Sequence, residues 1–263
     1  MSLPEATEPA CAGGRPPLLL LPGLLCDARL WHAQIGQLAG LCRRVEVADL
    51  TQQATIDDMA AAVLAVAPPR FVAAGLSMGG IVLFEMLRQS PERVIAAGLL
   101  NTTAAPESAD RRAERSRQFA RTARGEFDAM VREELKPAYP GACHRDDPAL
   151  LETVMAMARD LGEAVFERQC RALADRPDSR PLLCQLRCPT EIVGGDQDQL
   201  CPPDGHRAMA AAIPDARLTL LSACGHLSPL ERPQAVSAVL ARLLERAGAA
   251  EDHRKGNAHE NQH

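Results

Sequence analysis

Residues 71–84 read Phe-Val-Ala-Ala-Gly-Leu-Ser-Met-Gly-Gly-Ile-Val-Leu-Phe: a short apolar run, then Gly-x-Ser-x-Gly, then a helical pattern. A serine hydroxyl is a poor nucleophile unless the backbone presents it and a base removes its proton. A strand that turns sharply into a helix presents the serine at the turn, where small neighbours let other backbones pass close by. The order of these patterns predicts that Ser77 is a nucleophile, with an ordinary turn serine as the alternative.

Composition argues against several other classes of function. The chain has 263 residues, enough for one domain with a modest insertion, and a formal net charge of −5 with only 3% aromatic residues. Neither a basic surface nor stacking platforms for nucleic acid are expected. Nine cysteines without a Cys-x-x-Cys motif are expected to be reduced thiols in a cytoplasmic protein. The expected partner is a small-molecule substrate, with no nucleic acid, membrane, metal or cofactor, and the oligomeric state is left open.

Short apolar runs alternate with helical patterns, which predicts a mostly parallel sheet covered by helices on both faces, an α/β fold. The alternation stops in residues 103–181, where every pattern is helical; this segment is expected to form a lid, or else a cap without substrate contact. Residues 1–102 and 182–247 would form the core, and the polar residues 248–263 a disordered tail. The predicted strands are Leu18–Leu21, Val45–Ala48, Phe71–Ala74, Ile95–Leu100, Glu191–Val193 and Leu218–Leu221. The predicted helices are Leu30–Leu41, Ile56–Ala67, Met78–Gln89, Pro203–Ala212 and Gln234–Ala247 in the core, with Glu107–Arg124, Glu126–Leu135, Pro148–Arg159 and Gly162–Ala174 in the insertion.

A nucleophilic serine needs a base and an orienting carboxylate, which follow it in the order acid and then histidine in this architecture. His226 lies on a loop just after the last predicted strand and is the favoured base, whereas His206 begins a helix and is expected to point to solvent. Two carboxylates, Asp196 and Asp198, compete on the loop after the preceding strand. Asp196 directly follows two glycines and is able to bond the loop backbone as an Asx-turn.

The stabilisation of an oxyanion should come from two backbone amides. One is the N–H of Met78, next to the nucleophile. The other is expected from the loop after the first strand, where Pro22-Gly23 force a turn and Leu24 supplies the candidate N–H.

Together these segments resemble the α/β-hydrolase fold superfamily, and within it the small bacterial lid-bearing serine hydrolases: carboxylesterases, enol-lactonases and meta-cleavage-product hydrolases. The resemblance implies a sheet of about six strands, a lid after the sixth strand of the standard fold, and Asp198 as the acid, because Gly195-x-x-Asp198-x-x-x-Pro202 matches the superfamily's acid loop. The matching segments are Leu19-Leu-Leu-Pro-Gly23, Gly75-Leu-Ser-Met-Gly-Gly80, Gly195-Asp-Gln-Asp198, Cys224-Gly-His226 and Pro229-Leu-Glu-Arg-Pro233.

The resemblance implies hydrolysis of a small or medium carboxylic ester or lactone through an acyl-enzyme on Ser77, His226 and Asp198. The alternatives are a carbon–carbon bond hydrolase or lyase whose Arg112 or Arg115 binds an acidic ketone, a perhydrolase, and a non-catalytic receptor of small molecules. Methionines and phenylalanines at helical spacing suggest an apolar acyl pocket. Its candidate residues are Leu25, Phe119, Phe127, Met130, Met155 and Phe166.

Overall fold

The protein is described by a computed structural model that covers residues 15–260, with residues 1–14 and 261–263 outside the description. Its centre is one six-stranded sheet in the order β2-β1-β3-β4-β5-β6, and every neighbouring pair of strands is parallel. This confirms the predicted α/β fold and the predicted number of strands. The strands are β1 (Leu18–Leu21), β2 (Val45–Val47), β3 (Phe71–Leu76), β4 (Val94–Leu100), β5 (Thr190–Gly195) and β6 (Ala216–Leu221).

Helices cover both faces of the sheet. Those of the core are α1 (His32–Leu38), α2 (Ile56–Val66), α3 (Met78–Gln89), α7 (Pro203–Ala212), α8 (Ser228–Glu231) and α9 (Pro233–Glu260). Between β4 and β5 lie α4 (Ala109–Thr122), α5 (Phe127–Met130) and α6 (Pro148–Ala174), and residues 103–181 are called the helical region below. Short 3-10 turns occupy Ala28–Trp31, Lys136–Ala138, Ala142–His144 and Arg180–Gln185, and a π-turn occupies Val131–Leu135.

Alternation along the buried strands divides the core into two layers. Leu19 and Leu21 of β1 face the layer that contains residues of α2, α3 and α7, whereas Leu18 and Leu20 face the layer that contains residues of α1 and α9. Successive side chains of a strand point to opposite faces, so a strand buried on both faces reads as a continuous apolar run. This explains why β1, β3 and β4 are recognisable in the sequence, whereas the edge strands β2 and β6 are only partly buried and include the polar residues Glu46, Arg217 and Thr219.

Helix α9 is longer than the sequence predicts. The predicted helix ends at Ala247 and is followed by a disordered tail, but in the structure the helix continues to Glu260. Leu240 and Leu243 are buried in the core layer and hold the first half of the helix, so the costly first turn is already formed and helix-forming residues can extend it. An ion pair between Arg70 and Glu251 ties the extension to the core. Residues 261–263 of the predicted tail lie outside the described residues.

In the described part of the chain, residues 15–260, no helix is long and apolar enough to cross a membrane. The same residues contain eight of the nine cysteines, all as free thiols, and Cys11 falls outside them.

Gly79 permits the close packing of α3 on the end of β1. A Cβ at Gly79 would lie 2.2 Å from the carbonyl oxygen of Leu21, and that backbone cannot move without disturbing the sheet. We expect Gly79→Ala to lower the free energy of unfolding by about 3 kcal/mol, as measured by urea denaturation.

The matched control is Gly36→Ala, at an exposed position of α1 where an added Cβ meets no atom within 4 Å. It should raise the stability by up to about 1 kcal/mol, because alanine favours the helix. Equal stabilities of the two variants would contradict the packing argument.

Candidate active site

Ser77 lies at the turn between β3 and α3 in a conformation that side-chain-bearing residues rarely adopt, with φ +52° and ψ −112°. Its N–H donates to the carbonyl of Leu100 at 2.9 Å, and its carbonyl accepts from the hydroxyl of Thr102 at 2.7 Å. Bonds from both sides therefore hold the strained backbone in place, as expected where strain is kept at a functional site.

The glycines around Ser77 are required by space. A Cβ at Gly75 would lie 2.3 Å from the carbonyl carbon of Gly79, and a Cβ at Gly80 would lie 2.6 Å from the hydroxyl oxygen of Thr102. Any larger residue would push the helix away from the strand. The Gly-x-Ser-x-Gly pattern is thus explained by the geometry of this turn.

The loop after β1 passes beside this turn. Leu25 has a φ of +52°, and its N–H donates to the Oε1 of Gln169 at 2.9 Å, while the Nε2 of Gln169 donates to the carbonyl of Leu50 at 3.1 Å. The N–H groups of Leu24 and Met78, the two expected oxyanion donors, have no hydrogen-bond acceptor among the described residues. Gln169 is not recognisable from the sequence as part of the site, because it lies 144 residues from Leu25 in the chain.

His226 lies on the loop after β6. Its Nδ1 is 2.9 Å from Oδ2 and 3.0 Å from Oδ1 of Asp198, and its backbone N–H donates to the carbonyl of Tyr139 at 2.6 Å. An ionised carboxylate only accepts hydrogen bonds, so Nδ1 carries the proton and the lone pair is on Nε2. The neighbouring Gly225 is needed because a Cβ there would lie 2.3 Å from the carbonyl oxygen of Tyr139.

The structure places Asp198, and not Asp196, against His226. Asp196 is exposed and accepts a long bond of 3.3 Å from the N–H of Cys224. Asp198 is buried and accepts from the N–H groups of Leu200 and Cys201 at 2.9 and 3.0 Å. Burial by itself would raise the pKa of Asp198, but the imidazole of His226 and the other donors outweigh it, so the pKa is lowered.

Asn101 is a second partner of Asp198 that sequence analysis did not identify as part of the site. It follows β4 with a φ of +44° and is fully buried. Its Nδ2 donates to the Oδ2 of Asp198 at 2.9 Å and to the carbonyl of Gly225 at 3.1 Å, and its Oδ1 accepts from the hydroxyl of Ser228 at 2.6 Å. The one local signal was its place at the carboxyl end of a buried strand.

Glu231 fixes the loop that contains His226 by accepting hydrogen bonds from its backbone. The sequence did not identify Glu231 as a site residue, although it belongs to the segment Pro229–Pro233 quoted above. Its buried carboxylate accepts from the N–H groups of Gly141, Gly225 and Leu227 at 2.8, 2.9 and 3.0 Å. Three backbone donors on one side chain join the loop after β6 to the helical region.

His206 differs from expectation, because it is buried and does not point to solvent. Its ring packs on Gly194 of β5, where an added Cβ would lie 2.9 Å from Nδ1, and Nδ1 is 3.3 Å from the carbonyl oxygen of Pro202. Burial lowers the pKa of His206. Its helix, α7, packs on the sheet with His206 on the buried face. Closeness to the start of a helix does not indicate which face of the helix a residue occupies.

A cavity of about 260 Å³ brings together Ser77, His226 and Leu24. Its wall is more polar than the sequence suggests. The charged residues of the helical region that line it are Glu107, Arg111, Glu114, Arg115, Glu134 and Arg176. Arg112, the other arginine proposed to bind a carboxylate, is exposed, pairs with Asp175 at 3.3 Å and does not line the cavity.

The apolar residues that were expected to line the substrate cavity lie elsewhere in the structure. The six candidate pocket residues belong to a separate apolar cluster, and none of them lines the cavity, although the structure describes all six. The ring of Phe166 contacts the rings of Phe119 and Phe127 with centroids 5.9 Å apart in each case. Helical spacing marks the side of a helix that packs, and here the helices pack on one another. The cluster contains Leu25, Phe119, Phe127, Met130, Met155 and Phe166.

Asp198, Cys201 and His226 are the one group among residues 15–260 whose ligand atoms lie close enough to hold a metal ion, within 4.8 Å of one another. Burial and the charge of Asp198 raise the pKa of the Cys201 thiol, so it is protonated at neutral pH. A metal would therefore have to replace both the thiol proton and the hydrogen bond between His226 and Asp198.

Comparison with known proteins adds to this geometry. Residues 18–239 match the model of a family described as the alpha/beta hydrolase family. The chain is 28% identical to a pimeloyl-[acyl-carrier protein] methyl ester esterase of Aromatoleum aromaticum, with 84% of this chain and 94% of the relative covered.

Two of the solved structures that are similar to this chain illustrate the match over most of its length. A thermophilic esterase from Thermogutta terrifontis has a TM-score of 0.79 at 29% identity, with 89% of this chain and 91% of that chain covered. An enol-lactonase from Burkholderia xenovorans LB400 has a TM-score of 0.79 at 23% identity, with 89% and 92% covered, and at that identity it bears on the fold alone.

The lowered pKa of Asp198 gives a prediction on stability. A carboxylate whose pKa is lower in the folded state stabilises the fold above its unfolded pKa of about 4, and this contribution is lost as the pH falls through the folded value. We therefore expect the stability difference between wild type and Asp198→Asn to be largest above about pH 5 and to shrink below about pH 4. Urea denaturation at a series of pH values measures it.

Asp196→Asn is the control, since this exposed carboxylate has one long contact. The stability difference between wild type and Asp196→Asn should stay small throughout. A wild-type advantage over Asp198→Asn that is constant down to pH 3 would contradict the prediction.

Proposed function

The chain belongs to the alpha/beta hydrolase family, and on this premise we propose that it is a serine hydrolase that cleaves a small or medium carboxylic ester or lactone. The observation that carries the proposal is the arrangement around the cavity. Ser77 lies at a strained turn, His226 lines the same cavity, and Nδ1 of His226 is 2.9 Å from the buried carboxylate of Asp198. The esterases among the similar proteins support the same class of reaction.

In the proposed reaction, the hydroxyl oxygen of Ser77 attacks the carbonyl carbon while Nε2 of His226 takes its proton. His226 then gives that proton to the leaving alcohol, and the acyl group remains on Ser77. Water attacks this ester with His226 again as the base, and the acid is released. Asp198 holds the imidazole in the tautomer with the proton on Nδ1 and stabilises the imidazolium that forms.

The N–H groups of Met78 and Leu24 are proposed to bind the developing oxyanion. Both lie beside Ser77 without an acceptor in the described residues, which leaves them available to a ligand. Gln169 acts indirectly in this proposal: it binds the N–H of Leu25 and so fixes the direction of the preceding amide.

The helical region is proposed to act as a lid over the site. Its residues form much of the wall of the cavity that contains Ser77, including Arg115, Leu135 and Tyr139. A volume of about 260 Å³ suits a small substrate.

A second candidate is hydrolysis of a carbon–carbon bond in an acidic ketone. It would use the same serine and histidine, and the position of Arg115 in the cavity wall fits its need for a carboxylate-binding cation. Turnover of dienone acids with inert esters would favour this reaction over ester hydrolysis.

We expect Ser77 to be the one serine that reacts with a fluorophosphonate probe. Wild type should be labelled at Ser77 and Ser77→Ala should not be, as seen by gel fluorescence and peptide mass spectrometry. Ser228, a buried serine bonded to Asn101, provides the control variant Ser228→Ala, which should keep the label. Equal labelling of wild type and Ser77→Ala would refute the assignment.

Esters of p-nitrophenol with acyl chains of increasing length should be hydrolysed, fastest for short to medium chains, with activity lost in His226→Ala. Asp198→Asn should lower kcat by about a thousand-fold or more, because the imidazole loses the partner that fixes its tautomer. Asp196→Asn should change kcat little. The opposite ranking of the two variants would move the acid to Asp196, and a full panel of inert esters would overturn the proposed activity.

A further inference from the structure

The wall of the cavity contains a buried cluster of three charged side chains. Both Arg115 and Arg176 bind the same oxygen, Oε2 of Glu107, at 2.9 and 2.8 Å. The side chains of Arg115, Arg176 and Glu107 are 14%, 8% and 2% exposed. All three line the cavity that contains Ser77. Long charged side chains are almost never buried to this degree without compensation.

The cluster has one positive charge more than its single carboxylate balances. Arg111 also lines the cavity, but it is paired with Glu114 at 3.0 Å, and Glu134 is bound by Arg121 at 2.8 Å. Arg121 also binds Glu126 and Glu133, so these neighbours add no positive charge to the wall. Among the described residues no ion pair joins Arg111, Glu114 or Glu134 to the cluster, and its extra positive charge is therefore local to Arg115 and Arg176.

The thiols beside the two arginines do not supply the missing negative charge. Arg115 lies 3.3 Å from the sulfur of Cys170, whose pKa is raised to about 11 by burial. Burial also raises the pKa of Cys201, near Arg176. Both thiols are neutral at physiological pH, so the excess positive charge remains.

The guanidinium groups also keep unused donors. Arg176 donates to the carbonyls of Ala105 and Leu173 in addition to Glu107, and Arg115 donates to Glu107 and Cys170. The second terminal nitrogen of each arginine has no acceptor in the described part of the chain. A guanidinium with free donors and an uncompensated charge is the usual binding partner of a carboxylate.

We propose that Arg115 and Arg176 form a carboxylate-binding subsite, and that the substrate is an ester or lactone that carries a second, ionised carboxylate away from the scissile bond. The substrate class rests on the proposed hydrolase function. Ile81, Leu135 and Leu173 line the same cavity and would contact the methylene groups between the two ends of such a substrate. The shared carboxylate of Glu107 holds both guanidiniums in place before the ligand binds, so little ordering is needed.

The test compares monomethyl glutarate with its neutral isostere methyl 5-amino-5-oxopentanoate, in which an amide replaces the carboxylate. Wild type should hydrolyse the anionic ester with a kcat/KM about ten-fold or more above that of the amide, because charge-assisted bonds form with the anion alone. Arg115→Gln should abolish this preference, mainly through a higher KM for the anionic ester.

Arg112→Gln is the matched control, because Arg112 lies on α4 three residues before Arg115 but is exposed and outside the cavity wall. It should keep the full preference. Arg115→Lys keeps the charge without the planar fork and should give an intermediate preference. Should Arg115→Gln fail to fold, the preference of wild type and the Lys variant still decide the proposal.

The outcomes separate the subsite from the reaction. Ser77-dependent hydrolysis of both esters at equal kcat/KM overturns the subsite and leaves the hydrolase function intact. Inert esters overturn the function, and calorimetry then decides the subsite: glutarate but not glutaramide should bind wild type, and Arg112→Gln should bind glutarate as wild type does. Absence of glutarate binding, or equal binding of glutaramide, overturns the subsite.

Discussion

The close approach of α3 to the carboxyl ends of β1 and β3 is the constraint on which the rest of the site depends. No side chain fits between Gly79 and the carbonyl of Leu21, or between Gly75 and the backbone of Gly79. This contact forces the turn at Ser77 into its strained conformation, and the bonds from Leu100 and Thr102 keep it there. Strain at one residue is therefore held by the packing of three buried strands, which is how a stable fold maintains an unfavourable conformation at a functional position.

Most of the fold could be predicted from short stretches of the sequence. Buried parallel strands are continuous apolar runs, and the turn at Ser77 needs glycines at fixed spacing, so both are legible within a few residues of sequence. Asn101 and Gln169 could not be found this way, because their partners Asp198 and Leu25 are 97 and 144 residues away. Their importance lies in a contact between distant segments, and no feature of either residue's own neighbourhood records it.

For the pocket, the helical spacing of the apolar residues correctly predicted buried helix faces, but these faces pack on one another and do not line the cavity. Phe119 and Phe166 do lie on the packing faces of their helices, and they pack against each other. Periodicity states that a face is buried but not what covers it. The residues that line the cavity with Ser77 include Glu107 and Arg115, and the sequence offered Arg115 only as part of an alternative carbon–carbon bond hydrolase. In the proposed subsite, where two arginines share one carboxylate, charge and not apolar area would select the substrate.

Among the attachments of the helical region to the core, two differ in kind. At one, Tyr139 offers its backbone carbonyl to the N–H of His226; at the other, Gln169 offers a side-chain amide to the N–H of Leu25. Every amino acid has a backbone carbonyl, so the first attachment tolerates sequence drift at its own position. The second needs an acceptor and a donor at the end of one particular side-chain length. Among descendants of this chain, the hydrogen bond from position 139 would survive a change of residue, although the stacking of the Tyr139 ring on His226 would not, whereas the two bonds at position 169 both require glutamine.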